Sequence, residues 1–478
     1  MKKYMIMFVC LFVFVFGIVY PNTYAQEGTD DLNAKIEAME KQLKELKEQF
    51  EKQEESSKAE KKELQALRQE VKGLVPGDEF YWAKRAQELR EKGLAPWFGK
   101  QETKPFLSRL GRNTYLGGYM DHELQFSEKQ DKKSAKEHTF DQHRLIPFIY
   151  SDVSDRIKFA TEIEIEHGGP DSPGGVIERS GEIKIEFATI DFLITDWLNY
   201  RGGIILSPLG KLNLVHDSPL LDLTERPMVS RRIIPTTLSE AGMGFFGTLY
   251  PTEVSKLDYE LYVVNGFQSL LESGKQATSN AENFIRSSRG SLSKDNNTNF
   301  AVVGRLAYSP FIGLEVAGSF HTGNVDERNR NRLTITALDW TYQKGAFELV
   351  GEIAHASFDR DGVVAVKNVS TLLPGDSFGY WIEPRYHLMP QFLKDLAPKI
   401  FTEDSTFTAV VRFGGTDMGN FGVGNGKLRR TRLTPGFNFR YTEDTVFKAE
   451  YQLNWEHGRV ITPEVSNNVL LFSVATYF

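Results

Sequence analysis

At 478 residues, of which 40% are hydrophobic and 25% charged, the chain is too polar for a bundle of spanning helices and long enough for one large domain with an appendage. A net charge of −7 argues against nucleic acid as a partner, where a basic balance is needed. A single cysteine, Cys10, excludes a disulfide framework.

The chain opens on Lys2 and Lys3, continues through an uninterrupted apolar run over 4–20, and reaches the small residues Thr23 and Ala25 just before Gln26. That order predicts a secretory signal peptide over 1–25. Because the run is long for a signal, an uncleaved membrane anchor is the alternative. Val9 before Cys10, together with the mid-run position of the cysteine, disfavours lipidation. Cleavage after Ala25 would leave a mature chain without thiols, and losing Lys2 and Lys3 would take its charge from −7 to −9.

Over 26–75 the hydrophobic period becomes a heptad. Leu32, Ile36, Met39, Leu43, Leu46 and Phe50 form a seam; the same register passes through Gln53, Ser57 and Glu60, then resumes at Leu64, Leu67, Val71 and Leu74. With Lys and Glu dense on the other faces, this predicts an α-helical coiled coil of two or more copies in the periplasm. A solvated single helix or a disordered charge run is the other reading. Pro76, Gly77 and Asp78 end the seam, and 76–110 is expected to hold a short amphipathic helix and a linker.

From 111 to 478 the period is two. In "RIKFATEIEIEHGG" Ile157, Phe159, Ile163 and Ile165 alternate with Lys158, Glu162, Glu164 and Glu166; in "GEIKIEFATI" Ile183, Ile185 and Phe187 alternate with Glu182, Lys184 and Glu186. About sixteen strands are expected, near 114–126, 139–150, 156–168, 180–190, 196–207, 241–250, 257–266, 298–308, 312–322, 332–342, 346–357, 376–388, 405–414, 428–441, 444–456 and 466–478. Their lengths suit tilted strands that cross a bilayer. The connections alternate between short and long, with 389–404 longer than its short-side neighbours. An even strand count with sorted loops predicts an all-β, transmembrane antiparallel barrel whose two ends lie in the periplasm.

The last strand ends on a bare Phe478. Thr476, Val474, Phe472 and Leu470 share one face, while Tyr477, Ala475, Ser473 and Leu471 share a mixed one. A barrel closes by pairing its final strand with its first, so this segment is expected to be the seam. The terminal phenylalanine with alternate apolar residues before it also resembles the signal by which the outer-membrane assembly machinery receives barrel proteins, with Thr476 departing from that pattern.

The stretches "YRGGIILSPLG", "ERPMVSRRIIPTTLSEAGMGFFG" and "YELYVVNGF" resemble the Gram-negative outer-membrane porins, in particular the phosphate-selective porins and relatives with an N-terminal coiled coil. The resemblance covers roughly 111–478 and implies a sixteen-stranded homotrimeric channel for small solutes, embedded in outer-membrane lipid. Phosphate selectivity would imply arginines and lysines crowding the constriction.

The third long loop, 208–240, is the one that folds into the lumen in such porins. It carries Asp222, Glu225, Arg226, Arg231 and Arg232, with Lys211 near its start, and these are the candidate constriction residues. Charges in a narrow low-dielectric passage decide which ions pass, although the arginines could equally pair with the loop's own carboxylates. On the wall, Glu162, Glu164, Glu166, Glu182, Glu186, Glu260, Glu315, Glu348 and Glu352 outnumber Lys158, Lys184, Arg305 and Arg412, so the wall leans acidic and would favour cations. That opposes the sign implied by the resemblance.

No catalytic or metal motif is present among the nine histidines, and neither an enzyme nor a cofactor is expected. The rival to a pore is a tether. A helix over 32–74 would span roughly 65 Å at about 1.5 Å per residue, enough to reach from an anchoring barrel toward the cell wall.

Overall fold

The computed structural model describes residues 108–109, 113–128, 137–169, 181–268, 283–359, 375–402, 404–418, 429–457 and 467–478. The predicted signal peptide and coiled coil lie outside the described residues. A two-residue strand β1 (Ser108–Arg109) precedes β2 (Thr114–Ser127), β3 (Glu137–Asp152), β4 (Ile157–Glu166), β5 (Glu182–Leu193), β6 (Asn199–Leu206), β7 (Ser239–Thr252), β8 (Ser255–Val264) and β9 (Ala301–Phe311). Then follow β10 (Leu314–Asn324), β11 (Arg332–Lys344), β12 (Phe347–Asp359), β13 (Asp376–Leu388), β14 (Thr406–Asp417), β15 (Arg429–Arg440), β16 (Thr445–His457) and β17 (Val469–Tyr477). Each pairs antiparallel with its sequence neighbour, and β17 pairs with β2 from Val469 opposite Ser127 to Tyr477 opposite Tyr119. The sheet is closed: β2 to β17 form a sixteen-stranded barrel, at nearly the positions that the alternation predicts.

Alternation decides which side chains meet the interior. On β14 Thr408, Val410 and Arg412 are buried, while Val411 and Phe413 are exposed on the outside. The same division on β17 buries Leu471, Ala475 and Tyr477 and exposes Phe472. A closed barrel has a filled inside and an outer face rich in large apolar groups, among them Phe245, Leu261, Tyr308, Leu338, Phe437 and Phe447.

One expectation inverts. Period alone groups Phe187 with Ile183 and Ile185, yet those two are exposed and Phe187 is buried. Between Glu162 and Ile163 the β4–β5 register slips, Glu162 facing Phe187 and Ile163 facing Ile185. The extra residue, Glu186, is a bulge that reverses the parity of everything after it. Glu186 and Phe187 therefore both point inward.

Connections sort onto two rims. Tight links such as 312–313 and 345–346 lie on the rim that also holds Phe478, and the long loops lie on the other. The exception on the short-turn rim is the link from β13 to β14, which contains a short helix α4 (Gln391–Leu396); among the described residues, the short helices α1 (Lys211–Leu214), α2 (Met228–Arg232) and α3 (Phe284–Ser287) and a 3₁₀ turn over Ser218–Leu220 belong to long loops.

Candidate functional site

The site begins where β6 stops. Its partner β5 continues past it toward the long-loop rim, since Ile204 pairs with Ala188 and Leu206 ends the strand. Pro208 has no N–H to extend the ladder, and Gly210 adopts φ 69°, where only glycine is comfortable. A Cβ at Gly210 would also collide with the Glu352 carboxylate. The chain thus turns inward at mid-height instead of climbing to the rim.

From there the loop binds the inner wall strand by strand. The Gly210 amide donates to Ser319 Oγ of β10 at 2.9 Å, and Lys211 Nζ donates to Glu315 Oε1 at 3.3 Å and to Thr341 Oγ1 of β11 at 2.7 Å. The Lys211 amide donates to Glu352 of β12 at 3.1 Å. Tyr477 of β17 donates its hydroxyl to Asp217 at 2.9 Å, Arg440 of β15 donates to the Pro219 carbonyl at 2.6 Å, and Lys448 of β16 donates to the Ser218 carbonyl at 2.6 Å. Tyr477, Arg440 and Lys448 all sit near the short-turn ends of their strands, so the first half of the loop reaches deep into the barrel. Across the seam Ser218 donates to Asp121 of β2, and His216 pairs with Glu186 of β5 at 3.2 Å.

The second half returns through apolar surroundings. Val229, Ile233, Ile234 and Leu238 pack in one buried cluster with Tyr262, Val303, Ile335 and Ala354 from the inner faces of β8, β9, β11 and β12. Burying this surface removes it from water and holds the loop down without directional bonds. Charged side chains line the arc from β2 to β5, whereas the long-loop half of β8 to β12 is largely apolar inside, with His321 of β10 among its few polar groups.

The predicted constriction residues separate into different jobs. Asp222 is buried against Arg385 at 3.2 Å and Arg440 at 2.9 Å and accepts from Asn438 at 3.0 Å, so it staples the loop to the wall and does not face a solute. Lys211 is likewise engaged with the wall. Arg232 is buried and Arg231 is exposed, at consecutive positions of α2. Glu225 and Arg226 are half-buried and line a small cavity with Trp381, Arg412, Arg432 and Gln452. Arg226 donates Nη2 to the His216 carbonyl at 3.4 Å, while its Nε has no hydrogen-bond partner among the described residues. Burial and the neighbouring Arg144 both press its guanidinium pKa below the usual arginine value, yet an arginine stays a cation at neutral pH.

The wall carboxylates are mostly answered by partners. Glu162 accepts from Tyr150 at 3.0 Å, Glu164 pairs with Arg144 at 3.2 Å and with Lys184, and Glu166 pairs with Arg144 at 3.3 Å. Lys158 pairs with Asp152 at 2.8 Å, Arg305 with Asp339 and with Glu315 at 3.5 Å, and Arg412 with Glu383 at 2.5 Å. Glu182 is exposed, opposite Glu166 near the long-loop rim. At the seam Phe472 is exposed on the outside, Leu470 and Val474 are half-buried beside it, and the Phe478 amide donates to the Gly118 carbonyl at 2.9 Å.

Of the basic arc on β13 to β16, reasoning from sequence named only Arg412. Arg385, Arg430, Arg432, Arg440 and Lys448 also point inward there, and the alternation in "RRTRLTPGFNFR" could have revealed the β15 members. Asp121, Glu123 and His143 bring ligand-type atoms within 4.8 Å of one another. Arg144, 3.6 Å from Asp121, and the Ser218 hydroxyl on the same carboxylate already supply the positive charge and donors a cation would bring. His321, buried, pairs with Glu240 at 2.9 Å, and Ser207 donates to that same carboxylate.

No family model matches the chain. An uncharacterised protein of Aquifex aeolicus (strain VF5) is 27% identical over 319 residues, covering 64% of this chain and 69% of that protein. OmpF of Salmonella typhi, solved in complex with daunomycin, superposes with a TM-score of 0.50 at 10% identity, over 78% of this chain and 100% of that one. The outer-membrane channel DcaP of Acinetobacter baumannii reaches a TM-score of 0.47 at 10% identity, over 79% of this chain and 100% of that one. The likeness to OmpF is one of fold: a closed antiparallel barrel of sixteen strands.

Proposed function

We propose that the chain is an outer-membrane porin of a Gram-negative envelope, a channel through which small hydrophilic solutes and ions diffuse passively. The observation that carries the reading is the third long loop, which enters the lumen and bonds to the inner faces of β10 through β17 as well as β2 and β5, inside a barrel whose outer face is apolar. A loop bound in this way narrows a channel without adding a catalytic group. Such an outer face is stable only against lipid or another apolar surface.

Within this reading the constriction favours anions, phosphate among them. Glu164 and Glu166 pair with Arg144, and Glu164 also with Lys184, so their field is largely cancelled close by. Arg231 is exposed and Arg226 lines the cavity beside Arg412 and Arg432. Fixed charge that is not locally cancelled decides the sign of the passing ion. The resemblance to phosphate-selective porins supports the same direction. Homotrimeric assembly, delivery by the outer-membrane assembly machinery through the Phe478 strand, and a periplasmic coiled coil that touches the cell wall belong to the same proposal and rest on sequence pattern.

Planar-bilayer recording tests it. Discrete conductance steps with a reversal potential on the anion side in a potassium chloride gradient, reduced by added phosphate, are the expected result. Absence of steps from a folded barrel would leave the tether as the better account, which deletion of 27–75 would examine through loss of envelope attachment. Native mass measurement in mild detergent is expected to give a trimer.

A further inference from the structure

Residues 389–405 link β13 to β14 on the rim where other connections are tight. The helix α4 within them places Phe392 and Leu396 four residues apart, hence on one helical face. Phe392 is 66% exposed, Leu396 76% and Ile400, in the turn that follows the helix, 53%. Neighbouring rings give the direction in which the link folds. Phe401 lies 5.9 Å from Phe407 and 5.5 Å from Phe439, and Phe407 stacks on Phe437 at 5.2 Å. Phe407, Phe437 and Phe439 stand on the outer faces of β14 and β15, because their alternate neighbours Thr408, Val410, Thr434 and Asn438 are the buried, inward ones. Tyr441, exposed beyond β15, donates its hydroxyl to the Lys399 carbonyl at 3.4 Å. The link is therefore folded outward onto the side of the barrel and not across its mouth.

We propose that residues 389–402 are an interfacial membrane anchor. Phe392, Leu396 and Ile400 enter the boundary between headgroups and acyl chains on the short-turn side, and Lys394 and Lys399 lie beside lipid phosphates. Two observations commit the occupant to lipid: the exposed row continues the apolar outer face of the barrel beyond the strand ends, and exposed polar residues Gln391, Asp395 and Lys399 alternate with it, as in a segment lying in an interface. Long lysine stems can cover apolar surface while their ammonium groups stay at the phosphates. The inference rests on the reading of the barrel as membrane-spanning.

Spin-label accessibility in the full chain tests both separately. In a Cys10→Ser background, Phe392→Cys, Asp395→Cys, Leu396→Cys, Ile400→Cys and, as a reference on the outer wall, Phe447→Cys are each labelled with a nitroxide. The barrels, checked for folding by heat-modifiable mobility, are reconstituted in phosphatidylethanolamine and phosphatidylglycerol vesicles. Oxygen access several-fold above that of a water-soluble nickel chelate is expected at 392, 396, 400 and 447, with the reverse at 395. Nickel-dominated access at 392, 396 and 400 with oxygen-dominated access at 447 overturns the anchor alone. Nickel-dominated access at 447 as well overturns the membrane reading beneath it. Shielding of 392, 396 and 400 from both reagents overturns the anchor in favour of a protein cover, from a second copy or from the chain's own N-terminal region.

Discussion

Phe478 lays its ring over Gly118, where a Cβ would stand 2.6 Å from the Phe478 Cζ and 2.5 Å from the Ile146 carbonyl oxygen. The two residues also exchange both backbone hydrogen bonds, at 2.9 and 3.1 Å. A bare glycine in a sheet loses packing and gains entropy when unfolded, and a cross-strand ring restores the packing. Gly118→Val is expected to lower the yield of closed barrel, and deletion of Phe478 to leave a secreted chain that inserts poorly. Heat-modifiable electrophoretic mobility measures both, and normal yields from the two variants would show that the seam closes without this contact.

Asp222→Ala should loosen the inward loop. The carboxylate sits between Arg385 and Arg440 and accepts from Asn438. Removing one partner of a buried pair costs about 3 to 5 kcal/mol, and the low end applies because Arg385 keeps Glu383 and Glu348. Higher conductance and protease cleavage within 208–240 are expected, from a barrel that still closes.

The same residue sets an acid limit for docking. Burial pushes the Asp222 carboxyl up, but Arg385 and Arg440 outweigh it and hold it below the ordinary carboxylate range. With the folded value below the unfolded one, the stabilisation is complete above an unfolded pKa of about 3.9 and disappears as pH falls through the folded value. Conductance should therefore stay level from pH 7 down to about pH 4 and change only below. A transition centred above pH 5 would show that Asp222 does not set the acid limit.

Replacing Arg226, Arg231 and Arg232 by alanine together is expected to shift the reversal potential toward cations and to raise conductance. At 4 Å and an effective dielectric of 20 a unit charge pair is worth about 4 kcal/mol, ample to bias ion entry. Arg231→Ala alone should reproduce much of the shift, since its side chain is exposed, whereas Arg232→Ala should act mainly on folding. An unchanged reversal potential in a folded triple variant would mean that these groups do not meet the permeating ion.

Strand positions, strand number and the sorting of loops are legible in the amino-acid order. A wall one residue thick separates two media, and that imprints a period of two on every strand. Each residue's face then depends on its immediate neighbours, so counting suffices. Phe187 marks where counting fails. One inserted residue, Glu186, reverses parity, and an insertion leaves no mark in composition. The job of Asp222 is less legible still, because Arg440 lies 218 residues away in the chain. Only closure of the barrel brings β13 and β15 around the loop, separating a buried Asp222 from an exposed Arg231 nine positions later. Alternation is a local property of an extended chain, whereas the pairing of a charge belongs to the surface that folding places against it.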